Sequence, residues 1–129
     1  MSSQSPILPN LSAHGLPANW PELVLLKDTT VNVSGLSGRM VLFLTRLSEV
    51  HEALFDTSLV VTSGNDGGHT TNSKHSQNKA VDIRCVELAM AQQIVFLACI
   101  NLLAPGYSMA VFDERALPGA SHIHIEEAG

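Results

Sequence analysis

The chain predicts an α+β fold, a small antiparallel sheet with two main helices packed against it. Three observations carry this expectation. An apolar stripe of helical period runs from Met40 to Leu54. A second long apolar stretch runs from Glu87 to Leu103. Short alternating or β-branched runs lie at 58–63, 80–84, 107–112 and 122–126, separated by turn-forming residues. The resulting order is helix, strand, long loop, strand, helix, strand, strand, which suits helices laid on an antiparallel sheet.

Residues 1–35 read as an irregular arm packed on the domain, and residues 36–129 as the folded unit that carries the chemistry. Pro6, Pro9, Pro17 and Pro21 punctuate the arm. Leu23 to Leu26 is a short apolar run, and Val31 and Val33 alternate within a turn-rich connection. Met40, Phe43, Leu44, Leu47, Val50 and Leu54 follow i, i+3, i+4 spacing and predict a helix over 38–55. Ser37 is its expected N-cap, because a hydroxyl there accepts from a first-turn amide. Arg39, Arg46, Glu49 and Glu52 are expected to face water. Residues 64–79 form a long polar loop, and loops of that length in a compact domain usually carry function. The second helix is expected to bury Leu88, Ala91, Ile94, Val95, Ala98 and Leu102 along one stripe. Pro105-Gly106 ends it.

With 129 residues, 45% of them apolar, the chain can bury a core as one domain. A net charge of −5 and only seven scattered Lys and Arg argue against a nucleic-acid partner. Cys85 and Cys99 lack metal-site or disulfide-framework spacing and read as free thiols. No basic segment followed by an apolar core opens the chain, so no signal peptide is expected. No run approaches the ~20 apolar residues of a membrane span. The expectation is a monomer made in the cytoplasm, with no membrane partner.

The chemistry concentrates in two segments, Ser73-Lys-His75-Ser-Gln-Asn-Lys-Ala80-Val-Asp82 and His122-Ile-His124-Ile-Glu126. Alternate residues of a strand share a face. His122, His124 and Glu126 therefore project together, opposite Ile123 and Ile125. Ala80, Asp82 and Arg84 share a face opposite Val81 and Ile83, and Ala80 leaves room beside Asp82. Imidazole and carboxylate are zinc ligands, and a catalytic zinc keeps three protein ligands and one open position. His75, Asp82 and His124 supply such a set. Glu126 or a backbone carbonyl is expected to orient His124 through its other ring nitrogen. A purely structural zinc usually closes with four Cys-rich ligands, and neither Cys here is placed for that.

These residues resemble a known family. Ser73-x-His75-x-x-Asn78-x-Ala80-x-Asp82 is similar to the S-x-H-x-x-G-x-A-x-D motif of zinc D-Ala-D-Ala carboxypeptidases and related peptidoglycan endopeptidases. His122-Ile-His124-Ile-Glu126 resembles their C-terminal ligand strand. The run from Ser63 to His69 resembles the S-G-x-D-G-x-H of phage- and bacteria-associated members, with one extra Gly. The likeness spans roughly residues 36–127. It implies one zinc ion per chain on His75, Asp82 and His124, and a peptidoglycan stem peptide as substrate. Three positions depart from the pattern. Asn78 stands where the family usually has Gly, although Asn tolerates positive φ. No Arg follows Ser63-Gly64, and Arg84, Arg115 and Lys74 are the candidate substitutes for holding the substrate carboxylate. Ser121 stands where many members carry a catalytic Glu.

The reaction implied is hydrolysis by zinc-activated water, with His122 as base supported by Glu114. His69, Ser73 and Arg84 are assigned to substrate contacts, Ser73 as a hydrogen-bonding group rather than a nucleophile. His14 and His51 have no motif context and receive no role. A phage-type release route fits a wall-directed enzyme without a signal peptide. The alternatives are a non-catalytic zinc-containing binding module, as in the signalling domain of hedgehog proteins, or a degenerate viral structural protein of the same fold.

Overall fold

Two strand segments with Ile and Val on one face and polar groups on the other form the centre of a five-stranded mixed sheet. The structure is a computed structural model and describes residues 15–65, 74–75, 77–116 and 121–128. Its elements are β1 (Val24–Leu26), α1 (Gly38–Phe55), β2 (Leu59–Ser63), β3 (Ala80–Arg84), α2 (Met90–Leu103), a 3-10 turn (Ala104–Tyr107), β4 (Met109–Glu114) and β5 (His122–Glu127). The strand order is β1-β2-β3-β5-β4. β1 pairs parallel with β2, and the other neighbours are antiparallel. The α+β class with two helices is as expected; the parallel edge makes the sheet mixed.

The arm reading of residues 1–35 needs correction within its described part. Val24–Leu26 is a sheet strand, and Val31 and Val33 are fully buried. Three residues are too few to show a strand period, so the run carried no pattern of its own.

The core lies between the helices and one face of the sheet. Val81, Ile83, Ile123 and Ile125 are fully buried, and they meet Met40, Phe43, Leu44 and Leu47 from α1. Truncating one of these large side chains costs about 2–5 kcal/mol. Ser37 caps α1 as expected, accepting from the Met40 amide at 3.2 Å. At the other end Asp56 takes a left-handed φ of 57° and its amide donates to the Glu52 carbonyl. His51 faces inward from α1 and donates from Nδ1 to the Thr57 carbonyl at 2.8 Å. Its ring packs edge-on against Phe55 and Phe96.

Glu127 is the one acidic side chain on the core face of β5, two residues beyond Ile125. It is buried, accepts from Arg39 Nη2 at 2.7 Å and takes a hydrogen bond from the Ser37 hydroxyl. The first-turn amides of α1 and the Arg39 charge offset its burial. Arg39 therefore pairs with Glu127 rather than simply facing water. The contact ties the last strand to the start of α1.

The second helix departs from its expected stripe. Phe96 and Ile100 are its buried residues, whereas Met90, Ile94, Val95 and Leu102 are 69%, 61%, 46% and 81% exposed. α2 is apolar around most of its circumference and contains no charged residue, so its period could not select a face. It also begins at Met90 rather than Glu87. Ala89 offers no capping side chain, but Gln92 reaches back to the Ala89 amide at 2.9 Å. The 3-10 turn carries the helical path past Pro105. The 18-residue window Met90–Tyr107 is thus long and apolar enough to cross a membrane by length and composition, and 17% of it is buried.

Candidate metal centre

The outer face of the sheet gathers its polar residues in rows. β3 and β5 place Asp82 opposite His124, Arg84 opposite His122 and Ala80 opposite Glu126. β5 and β4 place His124 opposite Phe112, His122 opposite Glu114 and Glu126 opposite Ala110. The alternation that buries Ile123 and Ile125 therefore forces both imidazoles to this face.

His75 arrives from the loop ahead of β3. The Asn78 amide donates to the His75 carbonyl at 3.0 Å, and the Lys79 amide to the Lys74 carbonyl at 2.9 Å. Asn78 has φ 62°, so it adopts the left-handed turn expected of it in place of Gly. Its carbonyl accepts from the Ser37 amide at 3.1 Å, which fixes the turn to the α1 cap.

Three acceptor-capable atoms converge. His124 Nδ1 lies 2.9 Å from Asp82 Oδ1, His75 Nε2 lies 3.1 Å from His124 Nδ1, and His75 Nε2 lies 3.3 Å from Asp82 Oδ1. The opposite ring nitrogens decide the tautomers. His75 Nδ1 lies 2.9 Å from the Gly64 carbonyl, and a carbonyl only accepts. His124 Nε2 lies 2.8 Å from Glu126 Oε1, the carboxylate orienter anticipated from the sequence. Neutral His75 and His124 thus carry their protons outward and turn both lone pairs toward Asp82. A cation among them, either a proton or a metal ion, would relieve the repulsion of the three acceptors. Bonds of 2.0–2.1 Å to a tetrahedral ion separate its ligands by roughly 3.3 Å, close to the spacing here. The three residues fit a metal ion, with Gly64 and Glu126 as outer partners.

Without an ion the same ring nitrogens carry protons instead: burial alone raises the Asp82 pKa, but the hydrogen bonds that His124 and His75 then donate and the nearby imidazole charges outweigh it and hold the carboxyl well below its usual range. Burial likewise works against a charged His124, yet its bonds to Asp82 and Glu126 push its pKa up. A second proton on His124 is the metal-free way of placing positive charge at the same point.

The next row holds the expected base. His122 Nε2 lies 2.7 Å from Glu114 Oε1 and 3.6 Å from Asp82 Oδ1. Arg84 stands on the same face, and its Nε lies 2.8 Å from Glu87 Oε2, an ion pair whose angle falls short of a hydrogen bond. His69 and Ser73, assigned to substrate contact, lie outside the described residues. Arg115, a carboxylate-binding alternative, is held by Asp113 at two atoms, 2.7 Å each, and by Gln93 at 2.8 Å. Cys85 and Cys99 are free thiols, and neither belongs to the ligand sets.

Sequence reasoning missed two participants. Gly64 acts through its main-chain oxygen, for which no side-chain pattern exists. A Cβ there would lie 2.3 Å from the Asn32 carbonyl oxygen, so only glycine fits. Phe112 is 46% exposed, its ring centred 5.7 Å from that of His124, an apolar wall beside the ligands. Its position two residues before Glu114 on one strand was the available signal.

A scan against protein-family models finds no match to this chain, and a search of the curated proteins finds none either.

Proposed function

We propose that the chain is a zinc-dependent peptidase acting on peptidoglycan stem peptides, as a D-Ala-D-Ala carboxypeptidase or a wall endopeptidase. The observation that carries the reading is the convergence of His75 Nε2, His124 Nδ1 and Asp82 Oδ1, with both imidazole tautomers set from outside. The paired motifs around those residues support the substrate class. Zinc held there supplies a Lewis acid that activates a water and polarises a carbonyl. The residues do the rest. His122 and Glu114, sharing a proton across 2.7 Å, accept the proton of the attacking water and return it to the leaving amine. Phe112 bounds the bound peptide on one side. Arg84, on the His122 side, meets its carboxylate.

The test is turnover. Zinc-loaded protein is incubated with stem-peptide fragments, and products are read by mass spectrometry. Release of a terminal D-Ala or cleavage of a cross-link is expected. His122→Ala should lower kcat about 10²–10⁴-fold while retaining zinc. Full zinc occupancy with no cleavage of any wall peptide would defeat the enzyme reading and leave the zinc-bearing binding module.

A further inference from the structure

Asp82 belongs to two ligand groups at once. One is the set with His75 and His124. The other is Asp82, Glu114 and His122, whose ligand atoms all lie within 4.8 Å of one another. His122 is 3.6 Å and His124 2.9 Å from the same Asp82 oxygen, so the carboxylate stands between the two groups. We infer that a second divalent cation binds at Asp82, Glu114 and His122, that Asp82 bridges it to the first, and that its binding inhibits the enzyme. This rests on the proposed function, because it assigns a second use to that reaction's proton-handling pair.

The ligand chemistry favours such a site. One imidazole and two carboxylates suit a borderline cation, and Glu114 and His122 sit on neighbouring strands in register. Neighbouring metal sites sharing a carboxylate place their ions about 3.5–4 Å apart. The geometry also makes the second site weaker than the first. His122 Nε2 must present a lone pair, so its proton moves from the Glu114 contact to Nδ1. Asp82 is already committed to the first ion, and two dications repel. Both side chains are partly open to water, 21% for His122 and 32% for Glu114, against 7% for His75. A cation that occupies the pair removes the groups that accept the water's proton. Hydrolysis should therefore rise with the first equivalent of zinc and fall with the second.

The experiment is a zinc titration of the full chain, with bound metal counted by equilibrium dialysis and elemental analysis beside the hydrolysis assay. Two equivalents are expected, one tight and one weaker by at least about 10-fold, with activity declining as the second fills. Glu114→Gln and His122→Asn should each keep the first equivalent and lose the second. One equivalent only, up to millimolar zinc, overturns the second site and leaves the peptidase reading intact. No zinc at all overturns both. A second equivalent that survives in both variants places that ion elsewhere and overturns the assignment. Two equivalents with undiminished activity overturn the inhibitory role.

Discussion

Removing the Glu126 carboxylate isolates the contribution of an outer partner to metal affinity. Glu126 accepts the His124 Nε2 proton at 2.8 Å and is flanked in register by Ala80 and Ala110. Those small neighbours leave its side chain to rest against His124. Glu126→Ala takes away the acceptor that fixes the tautomer, so the Nδ1 lone pair is no longer favoured toward Asp82. Losing such a partner weakens metal binding about 10–100-fold, which is roughly 1.4–2.7 kcal/mol at 1.36 kcal/mol per decade. Glu126→Gln keeps a neutral acceptor, and charge-assisted bonds are about twice as strong as neutral ones. Its loss should be about half of that in free energy, between about 3- and 10-fold. The Glu126 side chain is 26% exposed and makes one hydrogen bond to His124, so metal-free stability should fall by only about 0.5–1.5 kcal/mol. Competition against a chromophoric chelator at fixed pH measures affinity, and urea unfolding of metal-free protein measures stability. A Glu126→Ala affinity within threefold of wild type would refute the tautomer argument.

Other consequences are directly measurable. Gly64→Ala sets a Cβ against the Asn32 carbonyl and displaces the acceptor of His75. It should lower stability by about 1–3 kcal/mol and also weaken zinc, whereas an unchanged zinc affinity would detach Gly64 from the site. Glu127→Ala should cost about 1–3 kcal/mol and lower Tm by roughly 5–10 °C, read by thermal unfolding; an unchanged melt would show that the Ser37–Arg39–Glu127 contact holds nothing together. Burial pushes the His51 pKa below its ordinary 6.5, which outweighs the Thr57 carbonyl contact. The unfolded chain then takes up the proton first, so this contribution is whole above pH ~6.5 and is lost as pH falls through the folded value. Urea curves at pH 7.5 and 5.5 should show a smaller acid loss in His51→Gln than in wild type, and equal losses would move the effect elsewhere.

The legible parts of the chain were those where one pattern had one solution. α1 follows its apolar stripe from Gly38 to Phe55, and β3 and β5 follow their alternation, so the face shared by Asp82, His122 and His124 could be read from the sequence. α2 was legible as a helix but not in orientation. Ile94, Val95 and Leu102 are as apolar as Phe96 and Ile100, and only tertiary packing distinguishes them. Glu127 was missed because the expected strand stopped at Glu126 and a carboxylate on the Ile face contradicts the alternation. Its stability there depends on Arg39 and Ser37, which lie about ninety positions away in sequence. Gly64 contributes a carbonyl oxygen, which every residue has, so composition cannot single it out.

The shared face of β3 and β5 also acts as a check on folding. Sliding β5 by one residue against β3 would turn His122 and His124 inward and Ile123 and Ile125 to water. Such a slip separates Asp82 from both imidazoles, so the mispaired chain has no chelating set. An ion at one hundred times its Kd stabilises the state that binds it by about 2.7 kcal/mol. Only the correctly aligned pair of distant strands would gain that energy. An ion held there would be a clasp that rewards one strand alignment, and its removal would broaden the range of pairings the chain samples before it sheds its core.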